Sequence, residues 1–407
     1  MQIHDMDLRH YCGLNRPRFA VDPEEDAEFF FGNQEVQVGL LSRIRRDFNV
    51  RGVPKCGVVG RFGAGKTHTL FHVKHKFNTE SEPPGYGVYI RIGPYDEGIP
   101  GMGGWKYLQG LVLDAIGEAA IREWVRAFDA SPQDRTEKLA DGLKKVFQFG
   151  DENLKQSLAN VLADYFLRDV RSTLPAWNWL KGGKIEKGES LPVTKAIETA
   201  PEQVNVLLSL ASLCRHVTGK ALVLLFDEAQ HLEEVRKRDS EIHDAFLQIA
   251  EPTNQDLGFI VGYFGSVKEG LPRVLSTPPD ILSRLGVSAS NLQEAFIDLA
   301  RLINSEVALQ DFMLRILDGI RDSDASQQLA ADLGLAGASV STLPFTGDAL
   351  DRLAEVLWQK EPNRNARIII ETLAVLAADA YERGKAENTY QLVDRPFVDD
   401  SPYIQSL

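Results

Sequence analysis

The stretch GRFGAGKT, residues 60–67, decides how the rest of the chain is read. It follows KCGVVG (55–60), a short run of small and β-branched residues that predicts a buried strand. It runs into KTHTLFHVKHKF (66–77), where Leu70, Val73 and Phe77 recur on one face at helical spacing. Strand, glycine-rich turn and helix in that order predict an anion cradle. Gly60, Gly63 and Gly65 carry no Cβ to keep an anion away from the backbone N–H groups, and the amino end of the helix adds partial positive charge. Lys66 is then placed to reach the outer phosphates of a nucleotide, and the Thr67 hydroxyl to bind Mg2+.

A phosphate cradle of this kind needs acid on a second strand, and KALVLLFDEAQHL (220–232) supplies it. Apolar residues run from Ala221 to Phe226 and end in Asp227 and Glu228. Asp227 is expected to hold Mg2+ through its shell, and Glu228 to polarise an attacking water as general base. An acid pair after a strand otherwise serves as a helix N-cap. His68, His72 and His75 lie at i, i+4 and i+7 of the first helix, opposite its apolar stripe. That spacing suits either a metal or a solvated face.

With Glu beside the Mg2+ acid, FDEAQHL resembles the AAA+ and related additional-strand ATPases of the P-loop class, and the downstream order resembles their initiator-like branch of origin-recognition and transposition ATPases. The resemblance implies an α/β fold, a parallel sheet flanked by helices with a large helical insertion and a C-terminal helical lid. It implies bound ATP and Mg2+, with Gly60, Gly63, Ala64, Gly65, Lys66, Thr67 and His68 at the nucleotide. GFIVGYFGS (258–266) reads as the next strand, ending where that family places a polar sensor, here Ser266. PPDILSRLG (278–286) is similar to the segment with the arginine finger, which makes Arg284 either that finger, acting on a neighbouring subunit's ATP, or an ordinary surface arginine. In EPNRNARIII (361–370), Arg367 matches the lid arginine that senses nucleotide, Asn365 stands where relatives carry glycine and Arg364 lies one turn away; the alternative is that both arginines make salt bridges within the lid. FFFGNQEV (29–36) looks like the segment that packs beside the adenine.

The divisions expected are residues 1–104 for the first part of the core, 105–200 for the insertion, 201–300 for the rest of the core and 301–407 for the lid. About 160 residues separate Thr67 from Asp227, and WKYLQGLVLDAIGEAAIREWVRAF (105–128) and NLKQSLANVLADYFLRDV (153–170) are helical in pattern. Trp105, Trp124, Trp177 and Trp179 read as core, with Trp177 and Trp179 also candidates for a partner patch. Thr346 is the expected N-cap of TGDALDRLAEVLWQK (346–360), and Pro23 with the acids of DPEEDAEFF (22–30) marks a helix start.

Composition narrows the class. The chain has 407 residues, 43% apolar, and a net charge of −13, which argues against broad adhesion to nucleic acid. RIRR (43–46) and RKR (236–238) are the short basic runs, each a binding patch or a solvated helix face. Cys12, Cys56 and Cys214 are far apart, which suits a reducing cytoplasm, and no apolar run reaches the length of a membrane span. The opening MQIHDMDLRHYCG lacks the pattern of a secretory signal. GKTH, a W-x-W-L-x-G-like stretch and DEA-x-H-L together resemble bacterial ATPases of BREX-type phage-defence or DNA-modification systems. This implies an oligomeric ATPase that works with DNA-directed machinery and touches DNA directly or through a partner. The alternative is a nucleotide-gated switch that recruits a partner protein, with slow hydrolysis and no DNA contact of its own.

Overall fold

The computed structural model describes residues 3, 6–32, 34–94, 104–128, 136–167, 174–184, 191–234, 239–265, 296–299, 302–334, 340–361, 363 and 365–407. Ser266, Arg284, Arg364 and the RKR run of residues 236–238 lie outside them. The described strands are β1 (Lys55–Gly60), β2 (Gly85–Arg91), β3 (Ala221–Asp227), β4 (Leu257–Phe264) and β5 (Phe296–Asp298). They form one all-parallel sheet in the order β2-β3-β4-β1-β5, flanked by helices. Every residue of β1 and β3 is buried, which is why β1 reads as small and β-branched after its lysine and β3 as apolar up to its acid: strands of a parallel sheet are covered on both faces. β2 pairs with β3 from Gly85↔Ala221 to Arg91↔Asp227, and β3 with β4 from Leu222↔Leu257 to Phe226↔Val261.

The chain divides into two compact units. One holds residues 40–59 and 73–297; the other holds residues 1–39, 60–72 and 298–407. In the first unit, the helices Trp105–Ile116, Glu118–Phe128 and Ala200–Thr218 share one apolar core with β2, β3 and β4. Trp105 meets Phe246 edge-on at 6.1 Å, and Phe246 in turn meets Phe226 of β3 and Phe259 of β4 at 5.6 and 5.3 Å. The long helical run from Trp105 breaks at Gly117, where φ is 81°. Trp124 and Trp179 are buried, and the Trp179 indole N–H donates to the Lys195 carbonyl. Trp177 is half-buried, its indole N–H on Asp114 and the Lys181 ammonium 5.5 Å over its ring.

The RIRR run is split by burial. Arg45 and Arg46 are exposed, whereas Arg43 is buried against Asp47 at 3.1 Å. Asp47 also accepts the backbone N–H of Lys55, whose buried ammonium donates to the Glu251 and Asn254 carbonyls. This network ties the helix Gln34–Arg51 to the first residue of β1. A buried charge that kept no partner would cost several kcal/mol.

The second unit is helical, with Glu306–Gly319, Gly347–Lys360 and Ala366–Glu387 as its long elements. Thr346 caps the Gly347 helix, accepting the Ala349 N–H, and Ala349 and Leu350 are buried. The N-terminal segment is bound into this unit through Tyr11. Its hydroxyl donates toward the carbonyls of Ala380 and Gln391 and accepts the Gln391 N–H, while Tyr390 donates to the Tyr11 carbonyl. The segment after Pro23 is a series of turns, not the expected helix start. Asp22 takes the N–H groups of Glu24 and Glu25, and Asp26 is engaged by the guanidinium of Arg16, so the acids are used in local turns instead of a helical dipole. Among the described residues no helix is long and apolar enough to cross a membrane.

Candidate functional site

The loop after β1 has the backbone its glycines permit. Gly63 and Gly65 lie at φ 71° and 89°, the left-handed region that side chains resist. At Gly60 a Cβ would sit 2.9 Å from that of Ala64 and 3.3 Å from that of Leu299. The helix Lys66–Thr79 then begins at the lysine, so the N–H groups of its first turn lie at the end of the loop. Lys66 is buried, and its ammonium donates to the carbonyls of Gly60 (3.0 Å) and Arg61 (3.1 Å). Thr67 and His68 are half-buried.

Two of the three histidines of this helix, His68 and His72, hold the N-terminal segment, which corrects the expectation of a solvated face for them. His68 donates through Nε2 to the Phe29 carbonyl at 2.9 Å and stacks on Phe31 at 5.0 Å. Burial lowers its pKa, which keeps the imidazole neutral, and the Phe29 carbonyl works against that shift. His72 is buried, with Nδ1 on the Ala27 carbonyl and Nε2 on Gln37. The face is therefore an internal seam rather than a solvated one. Among the described residues no group of three or more His, Cys, Asp or Glu side chains is gathered for a metal.

The amino end of the helix Ala366–Glu387 reaches the same loop. Arg61 donates to the Asn363 side chain at 3.0 Å, and a Cβ on Gly63 would collide with the Asn365 carboxamide. Asn365 caps the helix by accepting the Arg367 N–H at 3.0 Å, while the Arg367 side chain is exposed. The loop neighbour is thus Asn365, a role the sequence reading did not assign, although Asn before a helical pattern is a legible cap.

The acid half lies at the carboxyl end of β3. Asp227 is buried; its Oδ2 accepts the Tyr89 hydroxyl at 2.7 Å and its Oδ1 the N–H of Glu228 at 2.9 Å. Burial first, and then the Asp227 charge, raises the Tyr89 pKa, so the phenol stays protonated and remains a donor. Glu228 turns sharply at φ 56°, a conformation that costs a non-glycine residue on the order of 1–2 kcal/mol. Its carboxylate accepts the Gln230 side-chain N–H, and the Gln230 side-chain Oε1 accepts the Phe264 backbone N–H at the end of β4, at 3.2 Å. Tyr89 and Gln230 were both missed in the sequence, since an aromatic in a strand reads as core and a glutamine in a turn reads as solvent-facing.

A threonine hydroxyl and a buried carboxylate are hard oxygen donors of the kind Mg2+ takes. A loop of glycines whose lysine donates at its mouth suits a polyphosphate. Compared with known proteins, the chain matches no protein-family model and no curated protein.

Proposed function

We propose that the chain is an ATP-hydrolysing P-loop protein of the AAA+ kind. The observation that carries this reading is the sheet order. The loop leaves the carboxyl end of β1 and the acid pair ends β3, in one parallel sheet, and β4 lies between them. Ligands of parallel α/β sheets bind beyond the carboxyl ends of the strands, and an intervening strand is what the additional-strand class is named for.

In this reading the loop N–H groups and Lys66 hold the phosphates, and Thr67 and Asp227 hold Mg2+, which neutralises charge on the phosphates when bound. Tyr89 keeps Asp227 oriented, and Glu228 accepts a proton from the attacking water. Ser266, Arg284 and Arg367 are proposed nucleotide contacts on resemblance alone. The resemblance extends the reading to an oligomer serving DNA-directed machinery in bacterial defence, DNA modification or a mobile element. A net charge of −13 favours the second reading, a nucleotide-gated switch that recruits a protein and leaves DNA contact to it.

Turnover of ATP with and without duplex DNA, and molecular mass with and without ATP, separate the two. DNA-stimulated turnover supports the first; ATP-dependent assembly indifferent to DNA supports the second. Lys66→Ala should abolish nucleotide binding, and Glu228→Gln should bind ATP but turn it over only at a small residual rate. A Lys66→Ala chain that hydrolyses ATP at the wild-type rate would refute the site.

A further inference from the structure

We propose that Gln230 is the positioning residue for Glu228, and that it ties the reactive carboxylate to the carboxyl end of β4. The inference rests on the reading of Glu228 as general base. Three observations converge on it. Glu228 occupies a left-handed backbone conformation that only a surrounding constraint maintains in a residue with a side chain. The Gln230 amide group is oriented at both ends: its N–H group donates to the Glu228 carboxylate, and its oxygen accepts from the Phe264 backbone. Gln230 itself stands in the short 3-10 turn Ala229–Glu234, whose first residue, Ala229, is buried in the core. A carboxylate attached to a strained turn has several rotamers open to it, and a single donor of fixed direction selects among them. Because that donor is anchored on β4, any shift at the end of β4 is passed to the Glu228 carboxylate through one side chain. Ser266 follows β4 two residues after Phe264.

Gln230 touches neither nucleotide nor water in this account; it acts through Glu228. The test uses the full chain and Gln230→Met, which keeps the length of the side chain and removes both polar ends. Steady-state ATP hydrolysis gives kcat and KM, and a fluorescent ATP analogue gives affinity, in the wild-type and Glu228→Gln backgrounds. The expected result is a fall in kcat of roughly ten- to a hundredfold, the scale of a small misplacement of a reacting group, with KM and affinity unchanged. In the Glu228→Gln background the same substitution should cause no further loss, because the group it positions is gone. Gln230→Glu, which replaces the donor with a repelling carboxylate, should reproduce the loss and guards against a folding failure of the methionine variant. Wild-type kcat in both Gln230 variants overturns the proposal, as does an equal loss in both backgrounds. A Glu228→Gln chain as active as wild type overturns the general-base reading itself and the inference with it, whereas a wild-type kcat confined to the Gln230 variants leaves that reading standing.

Discussion

Gly63→Ala and Gly65→Ala form a matched pair that tests how the helix Ala366–Glu387 meets the glycine loop after β1. Both glycines have positive φ, so alanine at either position costs on the order of 1–2 kcal/mol in backbone strain. Their surroundings differ. A Cβ at Gly65 meets nothing nearer than Leu302 at 4.0 Å, whereas at Gly63 it drives into the Asn365 carboxamide. Relief of that collision moves the carboxamide off the Arg367 N–H, and loss of an N-cap costs about 1 kcal/mol. Gly63→Ala should therefore destabilise by roughly 2–3 kcal/mol, about 1 kcal/mol more than Gly65→Ala. Asn365→Ala alone should cost about 1 kcal/mol, but added to Gly63→Ala it should cost almost nothing, since the cap is already displaced. Urea unfolding of the four variants, with the midpoints compared at constant m, measures each quantity. Equal losses for the two glycine variants, or strict additivity of Gly63→Ala with Asn365→Ala, would show that the helix start does not rest on the loop.

Tyr89→Phe removes a donor to a buried carboxylate and should lower stability by about 1.5–3 kcal/mol, read as a lower midpoint in urea. An unchanged midpoint would mean Asp227 does not depend on that hydroxyl. Asp47→Ala leaves Arg43 and Arg51 without their shared carboxylate at the start of β1 and should cost about 3–5 kcal/mol, visible as a large fall in melting temperature. A shift as small as that of an exposed ion pair would refute the burial argument.

The strands were legible because burial on both faces leaves a plain trace in composition. β3 is apolar from Ala221 to Phe226, and the break in that run is the acid itself. The turn after β1 was legible because backbone geometry at Gly63 and Gly65 restricts the residue type. Strand order was not, because β4 enters between β1 and β3 through pairings far apart in the chain, which local periodicity does not encode. Direction of polar side chains was equally hidden. Tyr89 and Asp227 are 138 residues apart, and nothing in GYGVYIR marks one tyrosine as a donor to acid. The histidines misled for a related reason: their alternation against the apolar stripe resembles solvation, while the segment that covers them, Ala27 to Phe31, lies some forty residues upstream.

Tyr11 finds its partners 369 and 380 residues further along the chain. On a ribosome adding about 5–20 residues per second, roughly 20–75 seconds pass between the appearance of that phenol and of Gln391. During that interval the amino-terminal segment waits beside a growing chain with its aromatic ring unhoused. The unit that holds Tyr11 is therefore completed only after every strand of the described sheet has been synthesised.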